Sequence, residues 1–191
     1  MKTNRLEAFS DGVLAIVITI MVLEMKVPEG ASWDHLSAVL PKFMSYLLSF
    51  VYLGIYWNNH HHLFQAIQRV NGKVLWSNLL LLFTLSLVPF TTAWMGENHF
   101  EKNPVILYGM NLLLCAIAYA LLENASTGSD GKSSVIGSAL TGKRKEAASV
   151  VLYLIGIVLA VFYPSMGISC FIVVAAIWLI PDKRIENQLK K

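Results

Sequence analysis

The sequence has few charged residues. Asp, Glu, Lys and Arg make up only 14% of its 191 residues, whereas a soluble globular domain usually has about 25%. Hydrophobic residues make up 55% of the chain, and the mean hydropathy is +0.57. This composition excludes an ordinary soluble domain. We therefore predict an all-α, polytopic membrane protein that forms a single membrane domain over residues 1–191.

Cysteines and net charge are also scarce. The two cysteines, Cys115 and Cys170, lie inside apolar stretches, so they are predicted to be small core residues and not a disulfide pair. The net charge of +3 is too small to indicate a nucleic-acid partner. The first apolar run lacks a small-residue cleavage site, and we predict that it is a retained span and not a secretory signal.

Six stretches of the chain are apolar enough to cross a membrane, which takes roughly 20 residues of helix. The last two come from one uncharged run, 147–181, which the FYPSMG turn at 162–167 divides. The polar segment 123–146 is rich in Gly and Ser and is predicted to be a flexible loop. The predicted spans are approximately 6–27, 36–64, 74–95, 104–122, 147–162 and 166–181.

The basic residues are unevenly divided between the two sides of these spans. Twelve of the fifteen Lys and Arg residues fall on the side that holds both termini, and three fall on the other side. Basic loops stay in the cytoplasm. Both termini are therefore predicted to be cytoplasmic, and this agrees with an even number of spans.

The first span carries an apolar stripe with one hydroxyl in it. At about 100° per residue, five residues share one face of the helix, and Asp11 points almost the opposite way. Apolar stripes usually pack against other helices or lipid, but rings of Ile and Leu can also close a pore by dewetting. Periodicity leaves both interpretations open. The residues on the stripe are Gly12, Ile16, Thr19, Ile20 and Leu23.

Asp11 is expected to need polar partners, since a charge within a membrane span is costly. The cytoplasmic ends of spans two and three lie at its depth and supply imidazoles, amides and indoles. The run His60-His61-His62 also raises the possibility of a metal site. However, neighbouring helical residues diverge by about 100°, so a hydrogen-bonded cluster is favoured over a metal. The candidate partners are Tyr56, Trp57, Asn58, Asn59, His60, His61, His62, Trp76, Ser77 and Asn78.

These residues resemble the bacterial branch of the transmembrane protein 175 family, the lysosomal potassium channel family. Its motif, an Arg, three residues and then Phe-Ser-Asp, is present as Arg5, Phe9, Ser10 and Asp11. The aromatic-Asn-His run of span two and the segment SNLLLLFTLSLVPF at 77–90 are also similar. The six-span plan covers the whole chain.

The resemblance implies a homotetramer in a bacterial plasma membrane, with first helices around a central pore. It implies a cation channel weakly selective for potassium over sodium, without a TVGYG-type filter, cofactor, metal or enzymatic activity. Ile16 matches the constriction, Ile20 and Leu23 match the next apolar layers, and Thr19 matches the selectivity position. A structural network is also implied, with the motif joined to spans two and three. Its members are Arg5, Phe9, Ser10, Asp11, Trp57, His60, His61 and Asn78.

An alternative function is a proton-coupled carrier or proton-conducting protein that uses Asp11 and the histidines. A carrier usually shows an internal repeat or a helix interrupted at mid-membrane. No convincing repeat relates residues 1–95 to residues 96–191, which favours the channel.

Overall fold

The structure, a computed structural model, describes residues 3–67, 70–130 and 144–179. In these ranges the chain forms eight helices and no strand, which confirms the all-α prediction for this part of the protein. The helices are α1 (Thr3–Leu23), α2 (Trp33–Ser37), α3 (Leu40–Ala66), α4 (Gly72–Ser86), α5 (Val88–Glu97), α6 (Lys102–Asp130), α7 (Arg144–Ala160) and α8 (Pro164–Leu179).

Helix α6 lies at the centre of the bundle. It packs against α4 and α5 on one side and against α7 and α8 on the other. Helix α1 packs against α3, α4 and α5, at the opposite side of the bundle from the α7–α8 hairpin. The first helix is thus a peripheral element of the subunit.

Three described helices are long and apolar enough to cross a membrane: Thr3–Leu23, the combined α4–α5 segment Gly72–Glu97, and Lys102–Thr127 of α6. Helix α8 is apolar but shorter. Helix α3 has 27 residues and carries the polar YWNNHHH run. The predicted first span was too long at its end, because α1 stops at Leu23, five residues before Pro28.

The third predicted span is divided at Leu87. Pro89 has no N–H for the carbonyl four residues earlier, that of Leu85, and its ring crowds the preceding turn, so the helix is interrupted next to it. Asn111 of α6 lies at this interruption. With its amide turned so that both of its ends find partners, it donates to the Thr84 carbonyl at 3.0 Å and accepts from the Val88 N–H at 3.2 Å, two groups that would bond each other in a regular helix. A buried side chain from the central helix therefore stabilises the interruption.

The prediction of a loop from residue 123 was wrong for its first part, because α6 continues to Asp130. Ser126 donates to the Leu122 carbonyl at 2.8 Å, and Thr127 donates to the Glu123 carbonyl at 3.0 Å. Each hydroxyl thus bonds a backbone carbonyl of its own helix, so these polar side chains do not end the helix. Residues 131–143 of the predicted loop lie outside the described residues.

Helices α7 and α8 form a tight hairpin where small residues allow close approach. A Cβ on Gly167 would lie 2.7 Å from the Gly156 carbonyl oxygen and 2.7 Å from the Cβ of Ala160. Such small-residue contacts are typical of helix pairs in membranes. The turn falls at 161–163, so it overlaps only the first two residues of the predicted FYPSMG turn at 162–167; the other four residues begin α8.

Candidate functional site

Helix α1 has two different faces. One face, with residues three or four positions apart, is buried against the neighbouring helices. The other face bears Ile16, Ile20 and Leu23, whose side chains are 58%, 41% and 78% exposed in the subunit. The apolar stripe of the sequence therefore has no partner within the described part of the chain. The buried residues of α1 are Leu6, Ser10, Leu14, Val17 and Met21.

Thr19 lies on the exposed face between the apolar layers. Its hydroxyl is within bonding distance of two backbone carbonyls of α1, Ala15 at 3.0 Å and Ile16 at 2.9 Å. The hydrogen of the hydroxyl is thus used within the helix, as in many membrane helices. Its oxygen lone pairs remain available to a group outside the subunit.

An open groove runs beside the stripe. It has a volume of about 530 Å³, and Ile16 and Ile20 form one wall while Pro89 and Phe90 of α5 form the other. Gly12, on the same face of α1, has no atom within 4 Å of the position a Cβ would take. This face of the subunit has space for another helix.

The buried face of α1 joins a chain of hydrogen bonds that crosses three helices. The His60 ring, on α3, lies 2.8 Å from the Oδ1 of Asn78 on α4, and the Asn78 amide donates to Ser10 Oγ at 3.0 Å. Ser10 in turn donates to the Leu6 carbonyl at 2.9 Å. Because Asn78 offers its carbonyl oxygen, His60 Nε2 must carry the proton. The side chains of Ser10, Asn78 and His60 are all buried.

Asp11 is bound by an indole and not by a histidine. Trp57 Nε1 donates to Asp11 Oδ1 at 3.1 Å. His61 instead binds Glu7, with Nδ1 2.7 Å from Oε1. Asp11 is partly exposed, so the charge is less buried than the sequence suggested.

The structure places the candidate network residues in two groups. Ser10, Asn78 and His60 are linked directly, and Trp57 and His61 stack with ring centroids 6.2 Å apart. Arg5 and Phe9 are exposed, and Arg5 has no hydrogen bond or ion pair within the described residues. The motif positions therefore do not form one continuous cluster in the subunit.

Sequence reasoning missed three features. Glu7 was not expected to bind the histidine run, although it lies one turn before Asp11. Asn111 was not singled out, although a buried amide in an apolar helix is a usable signal. A hydroxyl cluster also joins α3, α5 and α6: Ser49 lies 2.6 Å from Thr92 and 3.0 Å from Tyr108.

No group of three or more His, Cys, Asp or Glu residues is placed to hold a metal ion within the described ranges. Hydrogen bonds and ring stacking account for the contacts of His60 and His61. The arrangement combines an exposed apolar face of α1 with a buried hydrogen-bonded network on its opposite face.

Comparison with known proteins identifies the class. The family model for the endosomal/lysosomal potassium channel TMEM175 matches residues 5–89. A protein named as a potassium channel from Chryseobacterium sp. (strain P1-3) is 56% identical over 191 residues, the full length of both chains. Another protein with that name, from Chamaesiphon minutus, is 39% identical over 102 residues, half of each chain.

A solved structure agrees with these matches. The crystal structure of a lysosomal potassium-selective channel TMEM175 homologue from Chamaesiphon minutus has a TM-score of 0.81 and 28% identity, covering 94% of this chain and 97% of that one. The human endosomal/lysosomal proton channel TMEM175 is 32% identical over 116 residues, 54% of this chain and 23% of its own length. The fold and the matches thus define a membrane ion channel and not an enzyme. The chain belongs to the TMEM175 family.

Proposed function

We propose that the protein is a potassium-selective cation channel, weakly selective over sodium, formed by four copies of the chain. Each subunit would cross a bacterial plasma membrane six times with both termini in the cytoplasm. The four α1 helices would surround a central pore. The observation that carries this proposal is the exposed stripe of Ile16, Ile20 and Leu23 on a helix whose opposite face is firmly packed.

Lipid contact is the rival explanation for that stripe, because lipid also covers exposed apolar residues. Three features support the pore instead. Thr19 places a hydroxyl within the stripe, the open space at Gly12 permits close approach of another helix, and relatives at 56% and 39% identity are named potassium channels.

The physical mechanism follows from the chemistry of the stripe. Rings of Ile16, Ile20 and Leu23 around an axis would exclude water when narrow and pass hydrated ions when wide. The Thr19 oxygens would replace part of the ion's water shell between these rings. The hydrogen bonds of Ser10, Asn78 and His60 would hold α1 to its own subunit, so that its free face keeps its orientation.

The decisive test is Ile16→Asn in purified protein reconstituted in vesicles. A polar ring at the narrowest point should keep the pore wet, so we expect potassium flux down its gradient to rise several-fold, with lower selectivity. Valinomycin gives the maximal flux of each preparation, and cross-linking in the membrane reports whether four subunits assemble.

A matched control is Ile155→Asn on α7, where the isoleucine is 45% exposed but lies on the side of the bundle away from α1. This control should leave flux unchanged. If Ile16→Asn assembles as a tetramer and has the flux of the unaltered protein, another face lines the pore.

A second candidate is proton conduction, alone or coupled to a substrate. Two observations favour it: vertebrate relatives are named proton channels, and the buried His60 has a ring nitrogen, Nδ1, with no hydrogen-bond partner. An imposed pH gradient with no potassium gradient tests it. Proton flux that His60→Asn abolishes, while potassium flux persists, would support a separate proton path.

A further inference from the structure

A cavity of about 200 Å³ lies between α3, α6, α7 and α8. No residue of α1 lines it, and it shares no residue with the groove beside Ile16. Its walls are rich in aromatic rings, four tyrosines and one tryptophan. The aromatic lining residues are Tyr52, Tyr56, Tyr119, Tyr153 and Trp178.

Most polar groups of these rings already have partners. The Tyr52 hydroxyl donates to the Phe171 carbonyl at 2.5 Å, the Tyr119 hydroxyl to the Asn59 carbonyl at 3.1 Å, and Trp178 Nε1 to Ser149 Oγ at 2.8 Å. These bonds fix the rings, which gives the cavity a preformed shape. Preformed sites lose less free energy to ordering when a ligand binds.

Two lining groups have no such partner. Glu146, partly buried in the first turn of α7, makes no hydrogen bond or ion pair within the described residues. The Tyr56 hydroxyl is likewise without a hydrogen bond there. The helix dipole stabilises an acid in the first turn of a helix. It does not explain why this acid lines a cavity of aromatic rings.

The combination indicates the ligand. We propose that this cavity binds a small organic ammonium ion, with its positive charge at Glu146 and its apolar body among the aromatic rings. A cation is attracted to the face of an aromatic ring, and aromatic cages recognise quaternary ammonium groups in this way. The adjacent base, Lys145, is engaged in an interaction of its own and does not line the cavity.

The volume limits the size of the ligand. An apolar cavity of about 150 Å³ accepts benzene, so this one has room for roughly one ring and an ammonium group. A lipid tail is the main rival occupant, since apolar area dominates the lining. A lipid tail would gain nothing from the carboxylate of Glu146, and this difference separates the two.

The experiment is calorimetric titration of the purified full-length protein with benzyltrimethylammonium chloride and, separately, with sodium 3-phenylpropionate, an anion of similar size. We expect saturable binding of the cation at one site per subunit and at least tenfold weaker binding of the anion. Glu146→Gln should weaken cation binding about tenfold, and Tyr56→Phe about twofold. Glu24→Gln, an acid-to-amide change outside this cavity, should have no effect.

Three results would overturn the proposal: no saturable cation binding at millimolar concentration, equal binding of the anion, or unchanged cation binding in Glu146→Gln. If Glu146→Gln does not fold, the comparison of cation and anion in the unaltered protein decides, together with Tyr56→Phe. No ion gradient is involved, so failure here is distinct from failure of the channel proposal.

Discussion

Helices α1 and α6 are both long and apolar enough to cross a membrane, but they are buried to different extents. In the most apolar stretch of α1 only 28% of the residues are buried, against 50% in α6. Helix α6 packs against α4, α5, α7 and α8 and is hydrogen-bonded to α3, whereas α1 contacts α3, α4 and α5 from one side. Composition alone does not separate them, since each contains a long apolar stretch.

The glycines of the two helices show the same contrast. A Cβ on Gly109 of α6 would lie 2.3 Å from the ring of Phe171, whereas a Cβ on Gly12 of α1 would meet nothing within 4 Å. The subunit therefore packs more tightly against α6 than against α1, although α6 also exposes an apolar row, Met110, Leu114, Ile117 and Leu121. One face of α1 is held by the subunit, and its other face is available to whatever lies beyond it.

The largest effect is expected where α1 is held. Asn78→Leu keeps the size of the side chain but removes the acceptor of His60 Nε2 and the donor to Ser10 Oγ. Leaving buried polar groups unpaired should lower the free energy of unfolding by about 2–4 kcal/mol. Denaturant titration of the protein in detergent measures this. Asn58→Leu, on the other side of α3 from the buried His60, is the control and should change stability much less.

An unchanged stability in Asn78→Leu would mean that α1 is held by apolar contacts alone. The hydrogen bonds of Ser10, Asn78 and His60 would then make no measurable contribution to holding that face of α1.

The second prediction tests the glycine contrast directly. Gly109→Ala forces Phe171 to move, and this ring is enclosed by Tyr108 and Tyr153, with centroids 6.1 and 6.2 Å away. Overpacking of this kind costs about 1–3 kcal/mol. Gly12→Ala should leave the stability of the isolated subunit unchanged.

Thermal unfolding in detergent provides the measurement for both glycine variants. Cross-linking in the membrane adds a second comparison. Because the proposed tetramer brings neighbouring helices to the free face of α1, Gly12→Ala should weaken assembly there. Equal unfolding temperatures for the two variants would contradict the contrast.

The two faces of α1 were predictable because the helical repeat depends on the local sequence alone. The buried residues of α1 recur every three or four positions. The separation of Asp11 from the stripe follows from the same period. The partner of Asp11 was not predictable, because it depends on the register between α1 and α3. That register brings Trp57 to Asp11 and His61 to Glu7.

Other features required the assembled bundle. Nothing local indicates that Asn111 reaches the backbone at the interruption next to Pro89, since the two residues lie on different helices. The extension of α6 was missed because Gly and Ser content was read as a loop signal. The roles of Ile16, Thr19, Ile20 and Leu23 stay predictions, because they depend on neighbouring subunits.

The third prediction concerns the charge at the junction of the two faces. Asp11→Ala removes the acceptor of the Trp57 bond, but both groups are partly exposed, so the cost should be about 1 kcal/mol. We expect assembly to weaken before ion preference changes, as measured by tetramer yield and by the reversal potential. A stable tetramer with altered selectivity would place Asp11 in the ion path.

The smallest effect is expected at Thr19, the only hydroxyl on the free stripe. Thr19→Val retains the branched shape and removes the oxygen. Its hydrogen bonds are to the carbonyls of Ala15 and Ile16 in its own helix, where the carbonyls keep their helical partners, so the fold should lose little. The main effect of Thr19→Val is therefore expected on an ion that passes the stripe.

Potassium gives up water more readily than sodium, so a ring of oxygens that partly replaces the water shell favours potassium. Without that ring, the reversal potential of reconstituted Thr19→Val under a potassium–sodium gradient should shift toward zero while tetramer yield is unchanged. Thr127→Val on α6 is the matched control, because its hydroxyl also bonds a carbonyl of its own helix, at 3.0 Å. If both variants keep the original reversal potential, the Thr19 hydroxyl serves only its own helix, and the free face of α1 selects ions, if at all, without it.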